Sequence, residues 1–421
     1  MLAMNPPVAP DELCVDAFPT YIDGQPLAGQ KVLIIVENLP LPFDRRVWQE
    51  ARTLVAAGAQ VSIICPTGKG YEARYEFLEG VHIYRHPLQI EANSALGYLG
   101  EYGLALFWET ILAWKIFFTR GFRVIHGCNP PDLIFLVALQ FRLFGVKFLF
   151  DHHDINPELY EAKFNRRGFF WKLMVFFEKL TFKAATVSIA TNHSYRQIAM
   201  SRGGMKPDDV FVVRSGPDLS KLRTVPPEPK WRNGRKFLVG YVGVMGEQEG
   251  IDLLIDAVAH LVFDQKRHDI QFCLVGGGPS LDGLRQQVAR RGLSDFVQFT
   301  GRAPDDVLFE VLSTMDIGVN PDRVNAMNDK STMNKIMEYM ALGKPMVQFD
   351  VTEGRFSAQD ASLYAKPNDP VDLAEKIAGL LGDPERRAMM GAFGRQRVEN
   401  ELSWSHQVKP LIAAYQRVFH R

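Results

Sequence analysis

Short apolar strands alternate with helices along most of this chain, and the pattern runs through twice. In the first half, apolar runs such as Lys31–Val36 and Val124–His126 are each followed by a helical segment. The pattern begins again at Phe237–Val242 and continues through Ile270–Val275. Strands separated by helices form parallel sheets that are covered by helices on both faces. The sequence therefore predicts an α/β fold of two doubly wound, Rossmann-like domains.

The length and the proline pattern indicate where these domains begin and end. A chain of 421 residues suits two domains of about 200 residues each. We predict a flexible leader over residues 1–30, a first domain over 31–222 and a second over 230–406. Pro226–Pro229 is the predicted linker. The leader contains five prolines and lacks the basic start and apolar stretch of a signal peptide.

Charge, cysteine usage and hydropathy exclude several classes of protein. Lys plus Arg and Asp plus Glu number 48 each, and this balance argues against a nucleic-acid partner. No apolar run reaches the roughly 18 to 20 residues that span a bilayer. The cysteines lack metal-ligand spacing, which predicts reduced thiols in a cytoplasmic protein: Cys14, Cys65, Cys128 and Cys273.

The segment from Met333 to Val347 says most about function. It predicts a short helix that ends at Gly343, followed by Pro345 and a strand. An acid inside this helix, Glu338, can reach a ligand at the carboxyl edge of the sheet. The segment resembles the nucleotide-sugar-binding signature of retaining glycosyltransferases with the GT-B fold, of the group 1 or family 4 type that assembles bacterial polysaccharides and glycolipids.

The resemblance implies an architecture and a reaction. In such enzymes the two domains face each other across a cleft, and the last helix, here residues 407–421, packs back on the first domain. The first domain binds the acceptor, and the second binds a nucleoside-diphosphate sugar, UDP- or GDP-linked. The sugar passes to a hydroxyl of a saccharide acceptor, here expected to be lipid-linked, with its configuration retained. No Asp-x-Asp motif occurs, so we expect no metal ion and no other cofactor.

Residues around the signature helix are the first part of the predicted donor site. Glu338 matches the glutamate that holds the nucleotide ribose, but the position eight residues earlier is Lys330 where the family has a second glutamate. Asn334 and Lys335 lie on a neighbouring face of the helix. We assign Lys335 to the diphosphate, because the departing pyrophosphate needs positive charge as its bond breaks.

Two glycine loops, each after a strand, are the second part of this site. Gly243 and Gly246 lie where the family binds the donor diphosphate, although Val244 and Glu249 replace its usual Arg and Lys. Gly277 lies in a second loop, where glycines let the backbone approach phosphate or simply form a tight turn. The predicted donor-binding set is completed by Arg302.

In the first domain, the strand ending Phe150–Asp154 supplies the predicted catalytic residues. In the family a histidine near this position touches the donor sugar, and we assign His153 to that role with Asp154 orienting it. His152 is the alternative, because neighbouring residues of a strand face opposite ways. A metal site at these three side chains is disfavoured, because ligands this close on an extended chain converge poorly.

Other polar residues near the same sheet edge are predicted to meet the acceptor. His126 ends a neighbouring strand, and Asn129 follows it in a proline-containing loop. Arg45 and Arg46 follow the first strand and could meet an acceptor phosphate or the donor diphosphate. The alternative for these arginines is a surface ion pair with Asp44.

The stretch Lys163–Lys183 predicts a further partner. It has six basic residues and one acid, Glu178, interleaved with aromatic side chains. This composition suits an anionic membrane surface and places the protein on the inner face of the plasma membrane as a peripheral protein. The alternative is that the aromatic residues form the core of the domain and the basic residues its solvated face.

Two other functions stay open at this point. A nucleotide-sugar epimerase with the same fold would need paired carboxylates as acid and base, and Glu338 alone supplies only one. A degenerate subunit that binds a nucleotide sugar without turnover would explain the departures at Lys330, Val244 and Glu249.

Overall fold

The computed structural model describes residue 22, residues 24–87 and residues 95–421, without the side chains of residues 95–102. The chain forms two compact units. The first unit contains the described residues up to Pro157, together with Arg167–Val213 and Gln407–Arg421. The second unit contains Glu158–Arg166 and Arg214–His406. The prediction of two α/β domains is confirmed.

The first unit is built on an eight-stranded sheet in its described part, with the order β3-β4-β2-β1-β5-β6-β7-β8. All neighbouring strands are parallel except the edge pair β3 and β4. The strands are β1 (Lys31–Val36), β2 (Gln60–Pro66), β3 (Tyr75–Leu78), β4 (Val81–His86), β5 (Val124–Cys128), β6 (Lys147–His152), β7 (Val187–Ala190) and β8 (Val210–Val212).

The second unit has a six-stranded parallel sheet in the order β11-β10-β9-β12-β13-β14. Its central strands are mostly apolar because both faces are covered: Val239 and Phe272 belong to one core cluster, Leu238 and Cys273 to the other. The strands are β9 (Phe237–Val242), β10 (Ile270–Val275), β11 (Val297–Gly301), β12 (Ile317–Asn320), β13 (Met346–Phe349) and β14 (Ser362–Ala365).

Helices connect these strands, and polar caps fix where several of them begin. Asp44 accepts a hydrogen bond from the amide of Val47, and Asn192 does the same for Tyr195. The helices are α1 (Arg45–Ala56), α2 (Ala95–Thr119), α3 (Phe135–Phe141), α4 (Asn156–Phe164), α5 (Phe169–Ala184), α6 (His193–Ser201), α7 (Ile251–Ala259), α8 (Leu281–Arg290), α9 (Asp305–Thr314), α10 (Asn334–Ala341), α11 (Thr352–Ala358), α12 (Pro370–Gly382), α13 (Pro384–Arg397) and α14 (Trp404–His420).

Each sheet has a point where the strand order reverses. In the first sheet this switch point lies between β1 and β5, and in the second between β9 and β12. Loops that leave the carboxyl ends of two such strands diverge to opposite faces of the sheet and open a crevice, where ligands of α/β sheets bind. Arg46, Asn129 and Gly243 follow strands that flank these two places, and other candidate site residues follow neighbouring strands.

The boundary between the units differs from the predicted one. The chain passes to the second unit at Val213 and Arg214, before the proline segment that we predicted as a linker. The amides of Val225 and Glu228 donate to the side chains of Ser313 and Thr314 in α9, so that segment is held on the second unit.

The two ends of the chain belong to the first unit as far as they are described. Of the predicted leader, residues 1–21 and 23, including Cys14, lie outside the described residues. Leu27 is buried and its amide donates to the carbonyl of Ala57, so the unit begins before β1. At the other end, Arg417 and Arg421 both pair with Asp209. In the described part of the chain, no helix is long and apolar enough to cross a membrane.

Candidate active site

Lys335 and Gly243 meet at the switch point of the second sheet. The Lys335 ammonium lies 2.8 Å from a carboxylate oxygen of Asp322 and 4.8 Å from the centre of the Tyr241 ring. Gly243 has a φ of +155° and directly follows β9. A Cβ at this position would lie 2.8 Å from the Tyr241 hydroxyl and 3.4 Å from Cε of Lys335. The missing side chain therefore leaves room for Lys335 to cross the end of the strand.

Two acids lie near Lys335, and the pKa of each is raised. Burial raises the pKa of Asp322, although the charge of Lys335 lowers it. Burial also raises the pKa of Glu249, with Lys335 lowering it and Asp322 raising it further. A raised pKa favours the neutral carboxyl, so the repulsion between Glu249 and a bound phosphate is weaker than its charge in water would suggest.

The two glycine loops interlock through their backbones. A Cβ on Gly276 would lie 1.8 Å from the carbonyl oxygen of Gly243, and one on Gly278 would lie 2.6 Å from that of Met245. Both glycines are therefore required by packing, as the tight-turn interpretation predicted. Gly277 differs, because a Cβ there would lie 3.6 Å from the amide nitrogen of Arg302, an ordinary contact. Arg302 is exposed beside it.

Of the three predicted loop glycines, Gly243 and Gly246 have amides that bind protein acceptors, whereas Gly277 does not. Gly243 donates to the carbonyl of Val275, and Gly246 donates to the carboxylate of Glu249 at 3.0 Å. Glu249, which replaces the family's usual lysine, therefore occupies a predicted phosphate-binding amide. In the part of the chain that the structure describes, the loop amides with no protein acceptor include those of Val244, Gly277 and Gly278.

The remaining donor-site candidates lie on α10 and in the loop before it. Asn334 is exposed and Glu338 half-buried, four residues apart on one face of the helix. The Lys330 ammonium donates to the carbonyl of Ala326 at 3.0 Å, so this cation contributes to the fold of its own loop. Asp322 was missed by the sequence reasoning, because only the tertiary fold brings it to Lys335.

In the first unit, Arg46 is the centre of a buried polar cluster. Its guanidinium binds both carboxylate oxygens of Asp151, at 2.8 and 3.0 Å, and lies 3.1 Å from Glu50. It also donates to the carbonyl of Val213. Burial lowers the pKa of Arg46, but the charges of Asp151 and Glu50 outweigh burial and raise it. This differs from the predicted role, because Arg46 is used inside the unit and is not presented to a ligand.

His153 is the histidine of this cluster whose side chain is partly exposed. Its Nδ1 lies 3.1 Å from Asp151, and its side chain is 12% exposed. Burial lowers the pKa of His153, but the charge and hydrogen bond of Asp151 outweigh burial and raise it to about 9. The imidazole is therefore protonated at neutral pH. Its Nε2 makes no hydrogen bond to any residue that the structure describes.

His152 has a different environment. Its side chain is fully buried, and its Nε2 lies 3.3 Å from Glu178. Glu178 is also paired with Arg202, and the His152 ring packs against Phe182 and Tyr195. His152 is therefore part of the core, and of the two neighbouring histidines only His153 is in a position to meet a ligand.

The prediction that Asp154 orients His153 was wrong, since Asp151 occupies that position. Asp154 follows β6, and its own amide donates to the side chain of Asn129. The Asn129 oxygen also accepts from the amide of His153, and its nitrogen donates to Asp132 and to the carbonyl of Asp154. Asn129 is buried and acts as a positioning residue, in contrast to its predicted contact with the acceptor.

His126 is also part of the interior. It is fully buried, and its Nδ1 lies 2.7 Å from the hydroxyl of Tyr415 in α14. The predicted acceptor contact therefore does not hold for His126. Arg45 is exposed at the start of α1 and is the acceptor-side candidate that the structure leaves at the surface. Asp44 caps α1, so the alternative of an ion pair between the arginines and Asp44 does not describe Arg46.

Comparison with known proteins identifies the class of protein. The structure is similar to that of sucrose-phosphate synthase from Thermosynechococcus elongatus, with a TM-score of 0.76 at 21% identity over 93% of this chain and 99% of that one. It is also similar to Anabaena HepE in complex with UDP-glucose, with a TM-score of 0.71 at 16% identity over 92% and 99%. The two Rossmann-like units thus form the GT-B fold of glycosyltransferases.

The sequence comparisons identify the family. Residues 44–221 match the family model described as Glycosyltransferase Family 4, and residues 236–383 match Glycosyl transferases group 1, together more than three quarters of the chain. The protein belongs to the group 1 glycosyltransferases. It is 26% identical over 310 residues to alpha-maltose-1-phosphate synthase of Mycolicibacterium smegmatis, across 66% of this chain and 74% of that protein. The chain is also similar to two transferases of Streptomyces kanamyceticus. The similar region covers only 61% of one of them and 38% of the other.

Proposed function

We propose that this glycosyltransferase moves a sugar from a nucleoside-diphosphate sugar to a hydroxyl of a saccharide acceptor, with retention of configuration and without a metal ion or other cofactor. The observation that carries the proposal is the pair of interlocked glycine loops, whose amides at Val244, Gly277 and Gly278 have no protein acceptor among the described residues. Amides at the carboxyl edge of a parallel sheet are suited to phosphate. The complex of HepE with UDP-glucose supports a uridine donor, with GDP as the alternative.

The proposed residues have separate roles in the reaction. Lys335 and the loop amides stabilise the diphosphate as the bond from the anomeric carbon to the phosphate oxygen breaks. The acceptor oxygen forms the new bond to that carbon, and its proton passes to the departing diphosphate. Glu338 holds the ribose, with Asn334 beside it, and Arg302 adds positive charge near Gly277. His153, protonated through Asp151, donates a hydrogen bond to the transferred sugar.

A panel of nucleotide sugars tests this function. The purified protein is incubated with each donor, a detergent-solubilised lipid-linked acceptor and either EDTA or Mg²⁺, and the released nucleoside diphosphate is measured. We expect release from one donor at the same rate under both conditions. The transferred linkage, read from the anomeric proton by NMR, should have the configuration of the donor. An inverted product, or activity that is lost in EDTA and restored by Mg²⁺, contradicts the proposal.

A binding control tests the role of Lys335. We expect Lys335→Met to weaken binding of the nucleoside diphosphate on the order of tenfold or more, because a charge-assisted hydrogen bond is lost. Since this change leaves Asp322 without its cation, the double variant Lys335→Met/Asp322→Asn separates lost binding from lost folding. Wild-type affinity in the double variant would exclude Lys335 as a phosphate ligand.

One observation favours a second candidate, a subunit that binds a nucleotide sugar without turnover. Glu249 occupies the amide of Gly246 and replaces a cation of the family pattern, which removes two sources of transition-state stabilisation. Tight nucleotide binding with no release or transfer across the panel would decide for this function.

We further propose that the acceptor is lipid-linked and that the enzyme is cytoplasmic and peripheral on an anionic membrane. Exposed apolar side chains of the first unit cluster on α2, α3 and the turn after α3, where Trp114 contacts both Phe118 and Phe144. We call this set the aromatic surface: Phe107, Ile111, Phe118, Leu136, Leu139, Leu143 and Phe144. Leu143 is 95% exposed and Phe118 77% exposed. Such a concentration of apolar area marks an interaction site.

Helix α5 adds charge and further aromatic residues to the argument. Phe169 and Phe176 are exposed, whereas Phe182 is buried, so the core interpretation holds for only part of this helix. Its one acid, Glu178, is buried against Arg202, which leaves the exposed charges Lys172, Lys179 and Lys183 all positive.

Vesicle binding tests the membrane proposal. We expect the protein to sediment with phosphatidylglycerol vesicles and much less with phosphatidylcholine vesicles. Lys172→Gln/Lys179→Gln should weaken binding to the anionic vesicles roughly 30-fold, since each basic residue near such a surface contributes about 1 kcal/mol. Lys366→Gln, an exposed change on the second unit, is the matched control and should have little effect. Equal losses in the two variants, or binding that ignores lipid charge, would contradict this proposal.

A further inference from the structure

Three buried ionisable side chains of the first unit form a cluster that the proposed reaction does not use. Glu37 follows β1, His86 ends β4, and Glu109 projects from the middle of α2. They are 8%, 2% and 0% exposed, respectively. One ligand atom from each lies within 4.8 Å of the others. We call this set the Glu37–His86–Glu109 cluster.

The hydrogen bonds of His86 define which of its nitrogens faces the carboxylates. Its Nδ1 lies 3.3 Å from the carbonyl oxygen of Pro87, which only accepts, so Nδ1 carries a proton. In the neutral ring Nε2 then has a lone pair, and it lies 2.9 Å from a carboxylate oxygen of Glu37. Two acceptors at this distance repel each other unless a proton or a metal ion lies between them.

The two carboxylates also need a proton or a metal ion near them. Both oxygens of Glu109 and one oxygen of Glu37 are buried without a hydrogen-bond donor among the described residues. No Lys or Arg side chain of the described residues is ion-paired with either glutamate.

We propose that Glu37, His86 and Glu109 bind a divalent transition-metal ion, with Zn²⁺ as the reference ion. Imidazole nitrogens and carboxylate oxygens are both zinc ligands, and the charge of the ion balances both glutamates. The hydrogen bond from Nδ1 to Pro87 supplies the outer contact that orients a metal-binding histidine. Because Glu37 and His86 lie at the carboxyl ends of β1 and β4, the ion connects these strand ends to α2, which carries part of the aromatic surface.

A second group of possible metal ligands in the same unit does not need a metal ion to balance its negative charge. Glu50, His126, Cys128 and Asp151 also lie close together, but the guanidinium of Arg46 already binds Asp151 and lies beside Glu50. The positive charge there is supplied by the chain itself. The two groups therefore give opposite expectations for metal binding.

Metal titration of the full chain tests the proposal. The protein is dialysed against a chelator and then titrated with Zn²⁺ by calorimetry and with Co²⁺ by absorption spectroscopy. We expect one Zn²⁺ per chain and a higher melting temperature of the loaded protein. Glu109→Gln should lower the affinity on the order of 100-fold or more, while the variant stays folded because it removes a buried charge. The Co²⁺ complex should show a tetrahedral visible spectrum without a thiolate charge-transfer band.

Two control variants test whether Zn²⁺ binds at another site on the chain. Cys128→Ala removes a ligand from the group around Arg46 and should leave Zn²⁺ binding unchanged. His260→Gln breaks an exposed pair with Asp264 and controls for adventitious surface binding. Failure of Zn²⁺ to bind the wild type at micromolar concentrations, or equal binding by Glu109→Gln, would overturn the proposal and leave a cluster held together by protons.

Discussion

Replacing His153 by alanine is expected to leave the first unit folded and to lower kcat/KM by about 100-fold or more. The side chain is partly exposed, and its Nε2 makes no hydrogen bond to a described residue, so its loss costs little packing. A protonated imidazole that is aimed at the sugar stabilises charge in the transition state, and this contribution disappears with the ring. Steady-state kinetics with the donor found in the panel measure the effect.

The neighbouring histidine is the matched control. His152→Gln removes a ring that is buried against Phe182 and paired with Glu178, so we expect a lower melting temperature but nearly wild-type kcat for the folded fraction. A large loss of kcat in His152→Gln together with normal turnover in His153→Ala would mean that the wrong histidine has been assigned.

The pH profile provides a second readout of His153. Asp151 raises its pKa from the ordinary 6.5 to about 9 against the effect of burial. A raised pKa adds stability that is fully present below pH 6.5 and is lost as the pH rises through about 9. If the protonated form is the active one, activity falls over the same upper range. In Asp151→Asn the basic limb of the kcat profile should move to lower pH, which a purely structural role of His153 would not produce.

The architecture was accessible from the sequence because it depends on local patterns. The predicted ends of β9 and β10 match the structure, since mostly apolar runs between polar segments define buried parallel strands. Strand β3 was not predicted, because Tyr75–Leu78 is an exposed edge strand with only weak alternation. The unit boundary was misplaced because the bonds from Val225 and Glu228 to α9 join residues far apart in the chain.

Within the candidate site, two missed residues could have been found from local spacing. The sequence run that predicts β6 places Asp151 and His153 two positions apart, which favours a shared face, whereas Asp154 falls on the other. Glu50 had a similar signal, because it lies four residues after Arg46 on a helix. No local sequence pattern indicates Tyr415, because it contacts His126 from the far end of the chain. Local periodicity therefore identifies neighbours on one element, and only the fold identifies partners between elements.

The adjacent residues Arg45 and Arg46 differ in how much their side chains contribute to the stability of the first unit. Arg46 is buried between Asp151 and Glu50, whereas Arg45 is exposed at the surface. We expect Arg46→Met to destabilise the first unit by about 3–5 kcal/mol, because breaking a buried ion pair leaves uncompensated charges. Arg45→Met should change stability by less than about 0.5 kcal/mol. Because the protein has two units, hydrogen exchange of β5 and β6 with mass spectrometry measures the effect where it occurs.

A double variant separates the ion pair from lost packing. In Arg46→Met/Asp151→Asn the unpaired carboxylate is gone, and burial raises the pKa of Glu50 to about 7, so this remaining acid can stay protonated at slightly acidic pH. The double variant should therefore be more stable than the sum of the two single changes predicts. Strict additivity would mean that Arg46 acts by filling space, and equal costs for Arg45→Met and Arg46→Met would contradict the buried cluster itself.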